Sequence, residues 1–137
     1  MLRTFVTALL SLLCNIRPLD FIIFEKKHMR SKLIAGNWKM NGDLASNEDW
    51  IKTVARGMES GMPSGRQFAV CPPFTYLSQC ASLIKEYSLA FLNLGAQDAS
   101  AYASGAYTGE VAATMLKELG CSYVIVGHSE RRQFNHE

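Results

Sequence analysis

Four short apolar runs constrain this chain most: Lys32 to Gly36, Phe68 to Cys71, Leu89 to Leu94 and Ser122 to Val126. Each is near-continuous instead of alternating, the pattern of strands covered on both faces of a parallel sheet. Amphipathic stretches separate them. Ser46 stands three residues before Asp49, a helix-start signature, and Trp50, Ile51, Val54 and Met58 follow at helical spacing until Gly61, Pro63 and Gly65. Pro72-Pro73 stops the second strand, because proline cannot donate to a ladder. Leu77, Cys80, Ala81 and Ile84 stripe a second helix running to about Tyr87. A third helix is predicted from about Glu110 to Leu119, with Val111, Met115 and Leu119 as its apolar face and Gly120 as its stop. Three strand-helix units and a fourth strand predict a parallel α/β architecture. An open doubly wound sheet and a (β/α)8 barrel both fit this pattern. No G-x-G-x-x-G follows the first strand, which weakens the dinucleotide-binding reading.

Composition narrows the function classes. The chain has 137 residues, 48% hydrophobic and 19% charged, near the globular average. Fourteen basic and twelve acidic residues leave a net charge of +2 with no basic run, so no nucleic-acid partner is indicated. Cys14, Cys71, Cys80 and Cys121 form no C-x-x-C pair, and His28, His128 and His136 form no ligand cluster, so no metal is signalled. Unpaired thiols fit a reducing, cytoplasmic setting.

Residues 1–28 differ from the rest. Two apolar runs, Phe5 to Leu13 and Leu19 to Phe24, follow Arg3 and mimic a signal peptide, yet Leu12-Leu13-Cys14 replaces the small residues of a cleavage site. The runs are too short for a bilayer, which takes roughly 20 apolar residues. A targeting segment, a packed element and a disordered or start-site extension all remain readings of 1–28. The extension is preferred, because Met29 opens a natural start leading into the first strand. The membrane is no partner unless that segment is real. The division expected is therefore 1–28 as extension and 29–137 as the folded part.

In either parallel fold, chemistry gathers where strands end. The first strand ends in Gly36-Asn37-Trp38-Lys39-Met40-Asn41. An ammonium beside a neutral amide suits an anionic substrate, through charge-assisted hydrogen bonds to phosphate or an enediolate oxygen. Taken alone, Lys39 reads more readily as a solvated loop lysine, as most lysines are. The fourth strand ends in Val126-Gly127-His128-Ser129-Glu130-Arg131-Arg132. Ser129 is expected to cap a short helix from Glu130, whose positive end disfavours imidazolium and leaves His128 a neutral donor. A satisfied core histidine and a solvated charge run are the plainer readings of the same residues. Glu130 becomes functional if the fold brings Lys39 beside it.

These two segments, with Cys71-Pro72-Pro73-Phe74, Gly95-Ala96-Gln97-Asp98 and Gly105-Ala106-Tyr107-Thr108-Gly109-Glu110, resemble the triosephosphate isomerase family from about Met29 to Glu137. The resemblance implies a (β/α)8 TIM barrel. It further implies interconversion of dihydroxyacetone phosphate and glyceraldehyde 3-phosphate through an enediolate, in glycolysis and gluconeogenesis, with no cofactor or metal. By motif, Asn37 and Lys39 would bind the phosphorylated triose, His128 would polarise its carbonyl and shuttle protons, Glu130 would hold Lys39, and Ser129 would line the pocket. The family is an established case in which the electrophilic histidine works neutral. Most members are homodimers. Thr108 would enter the partner's active site, and Glu110 would pair with Arg131 across the interface.

A family barrel takes about 250 residues, whereas this sequence reaches Glu137 just after the fourth strand. The expectation is an incomplete barrel covering about the first four strands, with two open edges and an uncovered inner face. The catalytic glutamate base, the closing lid and the late phosphate-gripping glycine loops have no match in it. Proton abstraction from carbon needs a positioned general base, so this chain alone is expected to be inactive. The alternatives are a non-catalytic fragment or half-barrel that associates with a partner chain, and an unrelated phosphate-binding α/β module.

Overall fold

The computed structural model describes residues 32–58, 61 and 64–136. The expectations for residues 1–28 therefore lie outside the described residues. Four strands form one sheet: β1 (Lys32–Asn37), β2 (Arg66–Cys71), β3 (Leu92–Ala96) and β4 (Cys121–Val124), in spatial order β1-β2-β3-β4. All three pairings are parallel. Helices α1 (Leu44–Gly57), α2 (Leu77–Glu86), α3 (Ala113–Glu118) and α4 (Ser129–Phe134) follow the four strands in turn. This is the alternating arrangement of a partial (β/α) barrel.

Burial divides the sheet. The end of β2 and nearly all of β3 are buried, with Val70 fully covered, and Ile51, Leu77, Cys80 and Leu83 pack over them from α1 and α2. The first strand was expected to be buried and is not. Leu33 and Ile34 are 47% and 49% exposed. The cause is position: β1 pairs with β2 alone among the described residues, so its apolar side chains lack a second neighbour. Val124 and Val126 near the other edge are likewise exposed.

Several boundaries move for local reasons. The cap of α1 is Asp43, whose carboxylate accepts from the N–H of Ala45 and Ser46, while the Ser46 hydroxyl accepts from the Asp43 N–H. Ser46 thus closes a reciprocal capping box at the third helical position instead of starting the helix. The helix ends at Gly57, before the predicted breakers. The third strand begins at Leu92, since the chain turns tightly at Ser88 (φ 54°) and Leu89 plugs the core from that turn. The predicted third apolar face holds only at Val111, which precedes α3 and packs against the core. Ala112 and Leu116 are buried, whereas Met115 and Leu119 are exposed and the helix starts only at Ala113.

One buried polar residue joins the helices. Asn47, 1% exposed, donates to Gln79 Oε1 (3.0 Å), and Gln79 Nε2 donates to the Leu44 carbonyl (2.6 Å), so α1 and α2 are tied by amides. Between β3 and β4 the register slips at Leu94/Gly95. A Cβ on Gly95 would stand 2.6 Å from Cys71 Sγ and 3.4 Å from Tyr123 Cβ, so only glycine fits where the strands close up. Among the described residues, no helix is long and apolar enough to cross a membrane.

Candidate active site

The C-terminal ends of β1, β3 and β4 meet in an open cleft of about 210 Å³. Asn37, Lys39, Gln97, His128 and Glu130 all line it. A somewhat larger recess, about 270 Å³, lies between Trp38, Asn47 and Trp50. It carries no ionisable side chain, so the convergent polar chemistry belongs to the first cleft.

Lys39 sits in the loop after β1 with φ 54°, left-handed backbone that costs a non-glycine residue about 1–3 kcal/mol. Three bonds surround it. Its N–H donates to Asn37 Oδ1 (2.9 Å), its carbonyl accepts from Gln97 Nε2 (2.8 Å), and its ammonium donates to Glu130 Oε1 (2.5 Å). Both partners of the ion pair are about half exposed. The ammonium holds the Glu130 carboxyl below its ordinary value. The expected pairing of Lys39 with Glu130 is thus present, across 91 residues of sequence.

His128 precedes α4 and caps it. Its Nδ1 accepts from the Glu130 backbone N–H at 3.2 Å. The cap was expected at Ser129, but helical backbone begins at that residue, which leaves the half-in position to His128. An accepting Nδ1 carries no proton, so the ring's proton resides on Nε2. Glu130 Oε2 lies 3.6 Å from the same Nδ1, too far for a hydrogen bond. Gly127, with φ 61°, makes the turn that separates β4 from this cap. Ser129 is exposed and is not among the residues lining the cleft.

The residues expected at a homodimer interface divide between the cleft, which Arg131 lines, and a surface loop. Residues 101–110, including Thr108 and Glu110, are exposed throughout. That loop is shaped by its own contacts: Tyr102 stacks on Tyr107 at 3.9 Å, and Ser100 N–H donates to the Val111 carbonyl at 2.9 Å. Arg131 pairs with Asp98 within the chain, Nη2 to Oδ2 2.9 Å. Neither Asp98 nor Gln97 was assigned a task from sequence. Their signal was available, since both immediately follow the third strand in the Gly95-Ala96-Gln97-Asp98 segment. Among the described residues no group of three or more His, Cys, Asp or Glu side chains is placed to hold a metal ion.

The family model described as Triosephosphate isomerase matches residues 32–137. Curated relatives named triosephosphate isomerase include one from Polynucleobacter asymbioticus, 75% identical over 109 residues, and one from Polynucleobacter necessarius subsp. necessarius, 76% identical over 109. Both matches cover 80% of this chain and 43% of the relative. A third, from Cupriavidus taiwanensis, is 52% identical over 110 residues, covering 80% of this chain and 42% of the relative. The chain therefore spans about two fifths of the length of these relatives.

Proposed function

The chain belongs to the triosephosphate isomerase family, and on that premise we propose that it supplies the anchoring and electrophilic groups of a triosephosphate isomerase. The reaction is the interconversion of glyceraldehyde 3-phosphate and dihydroxyacetone phosphate, which places the protein in glycolysis and gluconeogenesis. An unrelated phosphate-binding module no longer fits a chain of this family.

The carrying observation is the convergence of Lys39, Glu130 and a His128 whose Nδ1 is occupied as an acceptor. In the proposed mechanism the Lys39 ammonium, steadied by Glu130, offsets the charge of the phosphate and of the enediolate oxygens. Asn37 binds beside it. His128 donates from Nε2 to the substrate carbonyl and returns protons between the two oxygens; a neutral imidazole in this role is the family's known use of pKa tuning. Family pattern further assigns Thr108, Glu110 and Arg131 to a homodimer interface. The unpaired thiols of Cys71, Cys80 and Cys121 accord with a cytoplasmic location.

Removing the carbon-bound proton needs a carboxylate base. Glu130 is engaged by Lys39, and no other described residue matches that role. The purified 137-residue polypeptide should therefore give no detectable turnover in a coupled isomerase assay. A chimera joining it to the remaining residues of the Polynucleobacter asymbioticus relative should be active. In that chimera Lys39→Met and His128→Gln should each lower kcat/KM by at least ~10²-fold. Rates near those of the chimera from the polypeptide alone would sink the claim that the base lies outside it. A second reading, a non-catalytic half-barrel that associates with a partner chain, is favoured by the two sheet edges that no strand covers among the described residues. An inactive chimera would favour that reading.

A further inference from the structure

The geometry points to Gln97 as the positioning residue for Lys39: one side-chain amide, anchored to the end of β2, holds the carbonyl of a residue in left-handed backbone. Gln97 Nε2 donates to the Lys39 carbonyl and to the Cys71 carbonyl, both at 2.8 Å. An NH2 group has two protons, and these two carbonyls take both. The Cys71 carbonyl also accepts the Trp38 N–H at 3.1 Å. It is therefore a fixed point of the sheet, shared by the β1 ladder and the Gln97 clamp.

The consequence follows from the conformation of Lys39. At φ 54° a residue with a Cβ returns to the extended or right-handed region unless its surroundings hold it. The Asn37 side chain holds the N–H of that residue, and Gln97 holds its carbonyl. Together they fix both ends of the backbone unit from which the ammonium reaches Glu130. Gln97 is thus a positioning residue acting through Lys39, with no required contact to substrate. Its importance for turnover rests on the proposed isomerase reading, whereas its effect on the ion pair does not.

The test is carbon-13 NMR titration of the Glu130 carboxyl in the full chain. Unsubstituted, it should titrate below its ordinary 4.5, and Lys39→Met should remove most of that displacement and mark the end point, with only the weaker attraction of His128 left. Gln97→Met, similar in size and without N–H donors, should return it by at least roughly half of that range. Gln79→Met loses an amide-to-carbonyl bond at Leu44 together with the Asn47 bond, both outside the cleft, and should leave Glu130 unchanged. A Glu130 titration in Gln97→Met that matches the unsubstituted chain overturns the proposal. A second measurement needs no variant. The Gln97 Nε2 protons should exchange with solvent at least ~10-fold more slowly than those of exposed Gln133, and equal rates also overturn it. An active chimera with an unmoved Glu130 would reject Gln97 and keep the function. A moved Glu130 with an inactive chimera would do the reverse.

Discussion

The middle and the flanks of this sheet are built from the same kinds of residue but behave differently. Val70 and Leu94 in the central strands are covered by α1, α2 and the neighbouring strands, whereas Leu33, Ile34, Val124 and Val126 at the flanks stand in the open. Hydrophobic side chains on all four strands promise equal burial. The difference shows that burial is a property of neighbours, and that a strand's composition sets only its appetite for them.

The largest test of that contrast compares Ile51 with Ile34. Ile51→Ala empties a fully buried site against β2 and should cost about 2–5 kcal/mol in urea unfolding. Ile34→Ala at the flank should stay within about 0.5 kcal/mol. Equal losses would show that the flank is covered in solution. Glycines sharpen the same contrast at smaller scale. Gly95→Ala forces a Cβ against Cys71 Sγ and should destabilise by about 1–3 kcal/mol. Gly57→Ala, exposed at the end of α1 with nothing within 4 Å, should stabilise by up to about 1 kcal/mol.

The smallest effect is a pH dependence shared by the α1 cap and the cleft. The Ser46 N–H bond lowers the Asp43 carboxyl, and the Lys39 ammonium lowers that of Glu130. Each folded value lies below the unfolded one, so each contribution is full above the ordinary values of 3.8 and 4.5. Both are lost as pH falls through the lower folded values. Thermal unfolding should therefore show a falling Tm below about pH 4.5. Asp43→Asn should keep the cap, since asparagine caps as well, but remove its part of the slope. Added salt should weaken the Glu130 part more, because that pair is exposed and its attraction is screened.

What the sequence disclosed depended on the range of the interaction involved. Runs such as Phe68 to Cys71, and the stripe of Leu77, Cys80 and Ile84, were readable because periodicity is local. So were Asn37, Lys39, His128 and Glu130, which lie at or just past the ends of β1 and β4 in a fold where strand ends meet. The α3 face was misread because Val111, Met115 and Leu119 repeat by fours while the core accepts Ala112 and Leu116. Spacing cannot say which of two adjacent stripes faces a neighbour. The reciprocal box of Asp43 and Ser46, and the histidine cap of α4, depend on backbone angles that side-chain identity leaves open. The Gln97 clamp was least visible, since it joins a residue after β3 to carbonyls 58 and 26 positions earlier.

The order β1-β2-β3-β4 has a consequence in time as well as in space. Every strand lies beside the one made before it, so a ribosome releasing the chain N-terminus first presents each new strand with a template already laid down. With β1 on one edge of β2, the other is free when β3 emerges, and the outer edge of β3 is free when β4 follows. Among the described strands, each one after β1 finds its partner already made when it emerges, so synthesis proceeds in the same direction as assembly.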